Sequence, residues 1–275
     1  MCLKKNYFLQ NIQKKDSLFY LYDRKKETPI IAEKVLVAPG GKADPRHYQW
    51  LHDLGHSIVP PIPSLFTFHI EDQELHKLQG ISVTARIQAF STEVEGPLLI
   101  THQGFSGPSV LKMSALKARE AFASNYQFPI RINWTLGTLP QILEALQEWK
   151  VREGKKMVPS HPLFGLPKRL WQYLSQGLNK KWGEITKKEL LDLSKRLVAS
   201  EFEVIGKSMF KEEFVTAGGV SLKEVDFRRM ESKIIPSLFF AGEVLDIDGL
   251  TGGFNFQAAW STAWAASQAI FSEER

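Results

Sequence analysis

The N-terminal part of the chain alternates short apolar runs with polar or glycine-rich breaks, a pattern typical of β-strands. Apolar residues 7–9 and 18–22 lie on either side of the polar residues 13–16, as in a β-hairpin. A third apolar run, residues 34–38, stops at Pro39-Gly40-Gly41, which predicts a strand buried on both faces within a parallel sheet. Residues 46–54 then have the spacing of a short amphipathic helix that ends at Gly55.

The middle of the chain changes its pattern twice. A proline-rich stretch, residues 59–63, predicts a connection and the first domain boundary. Residues 139–198 have apolar positions at helical spacing, and Thr186 with Glu189 forms a predicted capping box. Between these regions, glycines and polar clusters separate short apolar runs, which predict a small antiparallel sheet or barrel. These predicted strands are residues 65–70, 81–90, 97–100 and 130–136.

The last part of the chain returns to strands and a helix. Residues 214–220 and 236–241 are predicted strands, and an alanine-rich helix is predicted over residues 255–270. We therefore predict an α/β fold, α+β overall, with a partial Rossmann-like domain in two sequence pieces interrupted by an inserted β-sheet or barrel plus helical domain. The two pieces are residues 1–63 and 213–275, and the insert is residues 64–212, with strands in 64–138 and helices in 139–200.

The composition is that of a globular protein. Of the 275 residues 43% are apolar and 24% are charged. No apolar run reaches the about 18–20 residues that a membrane span needs. The first residues lack the pattern of a signal peptide, so we predict a cytoplasmic protein with no membrane partner. The single cysteine, Cys2, excludes an internal disulfide and a multi-cysteine metal site.

The net charge of +5 is compatible with nucleic acid or with an anionic cofactor. The lysines, however, occur in short pairs spread along the chain, and no aromatic–basic RNA-binding motif accompanies them. We interpret them as solvated surface and predict no nucleic-acid partner. The pairs are Lys14-Lys15, Lys25-Lys26, Lys155-Lys156, Lys180-Lys181 and Lys187-Lys188.

Gly242-Glu243 follows a buried apolar run and is the first candidate for chemistry. A carboxylate just beyond a buried strand can accept hydrogen bonds from sugar hydroxyls, and Gly242 permits close approach of the backbone. The alternative is a turn glycine followed by a solvated glutamate. Both interpretations stay open from these two residues alone.

The following stretch, Gly252-Gly253-Phe254-Asn255, opens the alanine-rich helix. A helix start carries unpaired N–H donors and partial positive charge, which suit the electron-rich edge of a reduced flavin. The alternative is a glycine turn that lets the helix pack tightly on the sheet. The nearby Gly242-Glu243 favours the ligand interpretation.

Residues 242–249, Gly-Glu-Val-Leu-Asp-Ile-Asp-Gly, and residues 251–257, Thr-Gly-Gly-Phe-Asn-Phe-Gln, resemble the C-terminal flavin signature of the BaiN/YhiN-type flavoproteins. This family is also labelled NAD(P)/FAD-dependent or aminoacetone-oxidase-family FAD-binding proteins. The resemblance covers nearly the whole chain. Further matches occur in the same order at residues 35–42, 54–56, 101–108, 216–220 and 231–233.

The resemblance implies an FAD site and an FAD-dependent oxidoreductase. Residues 38–41 are similar to the Ala-Thr-Gly-Gly turn of two-dinucleotide-domain flavoproteins, with Pro39 in place of threonine. Glu243 matches the acidic residue that commonly holds a ribityl hydroxyl, and the helix start matches the one that faces the isoalloxazine ring. The implied cofactor-binding residues are Ala38, Gly40, Gly41, Gly242, Glu243, Asp248, Gly252, Gly253, Phe254 and Asn255.

The same resemblance implies further expectations. The substrate would be a small organic molecule bound between the flavin and the insert, which resembles the family's substrate-side domain, and NAD(P)H is a candidate electron donor. No catalytic acid or base is identified. The spacing around Ser106 is Gly-x-Ser-Gly-Pro and not that of a hydrolase elbow, and the seven histidines lack metal-ligand spacing, so no metal site is expected.

The sequence departs from the family pattern in two places. No G-x-G-x-x-G unit, which cradles the FAD pyrophosphate in family members, occurs in it, and the loop after Gly41-Lys42 is short. We expect weakened FAD binding, an unpaired sheet edge and an exposed apolar face. A separate N-terminal fragment and a second copy of the chain are candidate partners for that face. The alternative function is a non-catalytic remnant or binding module that does not retain flavin on its own.

Overall fold

The computed structural model describes residues 3–207 and 215–272. Cys2, the predicted boundary at residues 212–213 and Phe214 lie outside these described residues. The described chain divides into two compact units: unit 1 consists of residues 3–64 and 215–272, and unit 2 of residues 65–207. That one serves as a flavin domain and the other as a substrate-side insert stays a prediction.

Strands and helices are both plentiful in the described residues, so the fold is mixed α and β, as predicted. The strands are β1 (Leu9–Lys15), β2 (Leu18–Asp23), β3 (Lys26–Ala32), β4 (Val35–Val37), β5 (Ile58–Ser64), β6 (Phe68–Ile70), β7 (Ser82–Ala89), β8 (Thr92–Thr101), β9 (Gly104–Ser106), β10 (Phe128–Asn133), β11 (Ser200–Lys207), β12 (Val215–Val220), β13 (Val225–Asp226), β14 (Glu231–Ser232) and β15 (Leu238–Phe240). The α-helices are α1 (Gln49–Asp53), α2 (Gln73–His76), α3 (Pro108–Leu116), α4 (Ala118–Ala123), α5 (Leu139–Arg152), α6 (Lys168–Leu174), α7 (Lys187–Val198) and α8 (Phe254–Ser272). Short 3₁₀ helices occur at Pro45–Tyr48, Val158–Ser160, Trp182–Glu184, Leu222–Glu224 and Gly242–Val244.

Unit 1 contains three sheets within its described residues. Strands β1, β2 and β3 form an antiparallel sheet, and β12 pairs antiparallel with β5. The third sheet has the order β13-β14-β15-β4, in which β15 and β4 run parallel and the other pairs are antiparallel. The core lies around β15, whose three residues are fully buried, and includes Ala266 of α8.

The predicted N-terminal hairpin is confirmed, although its turn is shorter than expected. Lys15 pairs with Leu18, so the turn is Asp16-Ser17, with Asp16 at a positive φ of 54°. Strand β3 was not predicted. It contains Pro29 within a short and partly polar run, and pairing with β2 makes it extended where the local pattern alone does not.

The predicted burial of β4 on both faces is wrong. Val35 and Val37 are buried, but Leu36 between them is 41% exposed. This alternation shows that only one face of the strand packs against the core, and the strand also forms the edge of its sheet, with β15 as its neighbour. An exposed edge and apolar face are what the departures from the family pattern lead us to expect, and α8 adds Phe256, Trp260 and Trp264, each about two thirds exposed.

The prediction that the proline-rich residues 59–63 form a connection is wrong, because these residues are the centre of strand β5. In a central strand the N–H groups are needed for pairing with neighbours on both sides, and proline has none. In a strand paired along one edge only, proline is tolerated where the N–H would face away from the partner. β5 is paired in this way with β12, and Pro63 lies opposite Thr216. The sequence pattern could not distinguish an extended linker from an edge strand, because both have extended backbone.

The predicted barrel of unit 2 is confirmed. Six strands close in the order β10-β11-β6-β9-β8-β7, and all the pairs are antiparallel. The predicted helical region contains α5, α6 and α7, and the capping box at Thr186 is present, with the N–H of Glu189 donating to Oγ1 of Thr186 at 3.2 Å. Helices α3 and α4 and strands β9 and β11 were not predicted.

Candidate functional site

Two of the predicted cofactor turns meet at one edge of the unit 1 sheet. The parallel strands β4 and β15 end side by side, and their following residues continue as Ala38–Gly41 and Ala241–Val244. The N–H of Ala241 donates to the carbonyl of Val37 at 3.0 Å, which extends the pairing beyond the strands. Because parallel strands present their carboxyl ends at the same edge, the two turns form one surface.

Gly41, Glu243 and Thr216 converge at this edge. A β-carbon on Gly41 would lie 2.8 Å from Oε2 of Glu243 and 2.9 Å from Oγ1 of Thr216. The absence of a side chain at Gly41 therefore gives the carboxylate its place against the backbone of the first turn. Thr216, which is buried, was not singled out from the sequence as a site residue, although it lies in a stretch that matched the family pattern.

Tyr48 joins this group from the 3₁₀ helix Pro45–Tyr48. Its side chain is buried, and the N–H of Lys42 donates to its hydroxyl at 3.3 Å. Burial raises the pKa of Tyr48, the hydrogen bond from the Lys42 N–H offsets part of this rise, and the nearby negative charge of Glu243 adds a smaller increase. The phenol is therefore kept neutral at physiological pH. Its position beside Glu243 depends on the fold, since the two residues are far apart in sequence.

Gly242 is attached to the long helix α8. Its N–H donates to Oγ1 of Thr262 at 2.9 Å, and that hydroxyl donates back to the carbonyl of Ala258 at 2.7 Å. Gly242 has a positive φ of 75°, which other residues rarely adopt. The turn that carries Glu243 is thus fixed on the third turn of α8.

The remaining predicted residues lie at the start of α8. Gly252 and Gly253 both have positive φ, and they turn the chain into the helix. Asn255 exchanges two hydrogen bonds with the backbone of Gly249: its Oδ1 accepts from the N–H at 2.6 Å and its Nδ2 donates to the carbonyl at 3.0 Å. Its amide holds the loop in place. Phe254 is 61% exposed.

Asp248 lies in the loop before this helix and is held from strand β5. Oγ of Ser64, which is fully buried, donates to Oδ2 of Asp248 at 3.0 Å. The loop 246–253 is therefore positioned at both ends, by β5 and by α8. The two groups of predicted residues are connected through α8, which carries one at its start and holds the other through Thr262.

A cavity of about 320 Å³ opens beside Gly40 in unit 1. Its floor is apolar and buried, formed by Tyr48, Leu51 and Val244. Three cationic side chains, which were not identified from the sequence, line its rim: Arg24, Lys42 and Arg46. Arg46 is already engaged with Asp44 at 2.6 Å. The cavity is at the small end of the range for ligand pockets, so it would hold part of a dinucleotide.

The part of the chain that the structure describes contains neither a metal-binding cluster nor a membrane-spanning helix. No group of three or more His, Cys, Asp and Glu side chains there is arranged to hold a metal ion. Within residues 3–207 and 215–272, none of the helices combines the length and the apolar character of a membrane span.

The model of one protein family, described as the HI0933-like protein Rossmann domain, matches residues 2–269. The chain belongs to this family. The predicted resemblance to the BaiN/YhiN-type flavoproteins is thereby confirmed, and with it the Rossmann-like character of the fold at the level of the family.

This HI0933-like chain is similar in sequence to three relatives of named activity. It is 34% identical over 249 residues to the ribosomal RNA dihydrouridine synthase of Haemophilus influenzae, covering 88% of this chain and 59% of the relative. It is 32% identical over 260 residues to the Escherichia coli protein of the same name, covering 90% and 61%. It is 26% identical over 268 residues to the 3-dehydro-bile acid delta(4,6)-reductase of Clostridium scindens, covering 86% and 62%. The chain thus spans about three fifths of the length of these relatives.

Proposed function

We propose that this chain is the greater part of an FAD-dependent oxidoreductase. The observation that carries the proposal is the convergence of Gly41, Glu243 and Thr216 where two parallel strands end. A carboxylate beside a bare backbone turn at that edge suits the hydroxyl groups of a nucleotide or ribityl chain. Membership of a Rossmann family and similarity to a reductase support the same class.

The residues present fit one half of FAD better than the other. Glu243 would accept a hydrogen bond from a ribityl hydroxyl, and Gly41 would let the chain pass close to the backbone. The start of α8 would place N–H donors and partial positive charge near the pyrimidine edge of the ring. No glycine-rich phosphate loop occurs in the described residues. We therefore propose that the phosphate half of the cofactor is bound by other polypeptide.

We propose that the reaction is the reduction of a carbon–carbon double bond conjugated to a carbonyl group. Dihydrouridine is uridine with its ring double bond saturated, and the name of the third relative also describes reduction of double bonds. Such a reduction adds a hydride to one carbon and a proton to the other. When bound, FAD would supply the hydride chemistry, while this chain orients the substrate and excludes water. NAD(P)H as the source of electrons stays a prediction.

Among substrates of this class, a uridine in RNA is the first candidate, because two of the relatives carry that activity in their names. This proposal departs from the sequence-based predictions of a small-molecule substrate and no nucleic acid. A small conjugated ketone is the alternative within the same chemistry. A cytoplasmic location stays a prediction.

We further propose that the exposed apolar face of unit 1 is covered by polypeptide that carries a strand–G-x-G-x-x-G–helix unit. Leu36 on the edge strand β4 and the aromatic side chains of α8 leave a strand edge and an apolar surface open in the same unit. The matched residues cover only about three fifths of the relatives' length, which leaves room for such a unit in them. A strand added beside β4 would pair its free backbone groups, and a helix packed on the sheet would cover the face on which Leu36 lies.

Flavin retention tests the proposed function. Purified chain, alone and with the additional segment of a relative supplied as a separate polypeptide, is mixed with FAD, and bound flavin is measured by visible absorption and by fluorescence. We expect Glu243→Ala to weaken flavin binding by about 1–3 kcal/mol, roughly 5- to 150-fold, through loss of a buried hydrogen bond.

Glu33→Ala is the matched control, since Glu33 is an exposed glutamate at the opposite end of strand β4. It should leave flavin affinity unchanged. Equal affinities for the Glu243→Ala variant and the parent chain would contradict the role of Glu243. A chain that takes up no flavin under either condition would favour the second candidate function, a binding module without a cofactor.

A further inference from the structure

The positive charge of this chain is concentrated in one segment. Residues 150–196 contain twelve lysines and arginines and four acidic residues, a net charge of +8. The whole chain has a net charge of +5, so all the other residues together are at −3. An uneven distribution of this size creates a local positive potential that the total charge does not reveal.

The fold brings lysine pairs of this segment together. Met157 and Lys181 form an antiparallel bridge. On either side of it, the N–H of Val158 donates to the carbonyl of Lys180 at 3.0 Å, and the N–H of Trp182 donates to the carbonyl of Lys156 at 2.9 Å. Lys155-Lys156 and Lys180-Lys181, 25 positions apart in the numbering, are therefore neighbours on the two strands of this contact.

A third pair lies close by. The segment Trp182–Glu184 leads through Ile185 to Thr186, the N-cap of α7, and Lys187-Lys188 form its first turn. Lys150, near the end of α5, donates to the carbonyl of Ile185 and holds this start against α5. Cations at a helix start are placed unfavourably with respect to the helix dipole, so their position there is not explained by stability.

Several of these lysines are available for a ligand. Lys155, Lys181, Lys187 and Lys188 are exposed, and no ion pair holds them within the described residues. Lys156 lies 5.5 Å from the centre of the Trp149 ring and 3.0 Å from Glu153. We call the surface formed by Lys155, Lys156, Lys181, Lys187 and Lys188 the basic face.

We propose that the basic face binds the phosphate backbone of RNA. This inference rests on the proposed function, since it assigns to the basic face the contact with the RNA that was proposed as the substrate. Lysines act as point charges that neutralise phosphates without reading base sequence. A membrane surface fits less well, because interfacial binding also needs an apolar face, and the segment exposes as large apolar side chains only Val151 and Phe164 among its described residues.

Charge reversal tests the proposal on the full chain. The triple variant Lys155→Glu, Lys181→Glu, Lys187→Glu changes exposed side chains only, so it should unfold at a temperature no lower than the parent. Binding to a fluorescent RNA stem-loop is measured over a range of salt concentrations. We expect the triple variant to bind at least about tenfold more weakly at low salt, and the slope of log affinity against log salt to become shallower by about 2 to 3.

A triple variant at exposed cations outside the basic face, Lys112→Glu, Lys223→Glu, Arg228→Glu, carries the same change in net charge and should retain at least most of the affinity. Equal losses in the two triple variants, or no loss in the first, would overturn the proposal. Binding to polyglutamate or to anionic phospholipid vesicles as tight as to the stem-loop would also overturn it. RNA binding through the basic face by a chain that takes up no flavin would support this inference and contradict the proposed redox activity.

Discussion

Alanine in place of Gly219 is expected to prevent unit 1 from folding stably. Gly219 lies in strand β12 with a positive φ of 134°, and a β-carbon there would be 2.4 Å from the carbonyl oxygen of Val244 and 2.9 Å from the carbonyl carbon of Leu245. Contacts this short require the backbone to move. The neighbouring Val220 is bridged to Leu245, and its carbonyl accepts from the N–H of Asp246 at 3.0 Å, so the two segments cannot separate freely.

Two costs combine in the Gly219→Ala variant. A left-handed backbone costs roughly 1–2 kcal/mol for a residue with a β-carbon. Overpacking against fixed atoms adds about 1–3 kcal/mol or more. We expect the free energy of unfolding to fall by about 2–5 kcal/mol, a large part of the roughly 5–15 kcal/mol that is typical of a domain. Hydrogen exchange measured by mass spectrometry should show the loss in peptides of unit 1.

Gly253→Ala is the matched control for this prediction. Gly253 also has a positive φ, 89°, but no heavy atom lies within 4 Å of the position of its β-carbon. It should therefore cost only the backbone term of about 1–2 kcal/mol. Equal destabilisation by the two substitutions would show that the close approach of β12 to the turn after β15 does not matter for stability.

Removal of His56 is expected to have the second largest effect. The imidazole is fully buried and lies between Glu224 and Ser232: its Nδ1 is 3.2 Å from Oε2 of Glu224, and its Nε2 is 3.1 Å from Oγ of Ser232. Ser232 Oγ also accepts from the N–H groups of Ile234 and Ile235 at 3.0 and 2.9 Å. The hydroxyl proton of Ser232 must therefore point to Nε2, which places the one proton of the neutral ring on Nδ1 and makes Nδ1 the donor to Glu224.

His56→Ala would break both of these hydrogen bonds at once and leave a cavity beside the ring of Phe240, which meets the imidazole edge-on at 5.1 Å. Lost packing and the unsatisfied hydroxyl of Ser232 should together lower the free energy of unfolding by about 2–4 kcal/mol, while Glu224 keeps the N–H of Ser57 at 2.9 Å. His56→Gln offers an amide donor and a carbonyl acceptor, so it should recover part of the loss. Urea unfolding of both variants checks this, and a His56→Ala protein as stable as the parent would contradict it.

The same network makes stability depend on pH. Burial lowers the pKa of His56 below its ordinary value of 6.5, and this effect outweighs the opposite influence of Glu224. Between the lowered pKa and 6.5 the unfolded chain binds a proton that the folded chain does not, so stability falls as the pH drops through this window. For Glu224 burial raises the pKa, but hydrogen bonds from Ser57 and His56 bring it below its ordinary 4.5. Its contribution is lost below that value.

The free energy of unfolding, measured with urea from about pH 7.5 down to about pH 5, should fall for the parent chain by no more than about 1.4 kcal/mol per pH unit from this one group. The His56→Gln variant cannot take up the proton and should have a flatter profile over the same range. Parallel profiles for the two proteins would show that His56 does not titrate differently on folding.

Local pattern in the sequence was sufficient for many elements of this fold. The hairpin β1–β2, the buried strand β15, the long helix α8 and the capping box at Thr186 all follow from rules that act within a few residues. The glycine-rich motifs around Gly242 and Gly252 also identified the family, which the comparison with the family model confirmed. The sequence predicted the barrel only as one of two possibilities, the other being an open sheet, because closure of a barrel depends on pairing between distant strands.

What the sequence could not provide was the neighbourhood of residues far apart in the chain. The sequence pattern predicted a connection at residues 59–63 and burial of both faces of β4. Both predictions are wrong because local pattern does not reveal which strands lie at the edge of a sheet. The pattern also treated the lysine pairs as separate, whereas backbone pairing of residues 156–158 with 180–182 places two of them side by side. The meeting of Gly41, Thr216 and Glu243, like that of His56 with Glu224 and Ser232, arises only when parallel and antiparallel pairing fixes the register of distant segments. The sequence by itself thus determined the elements and the family, while tertiary pairing decided which side chains share a site.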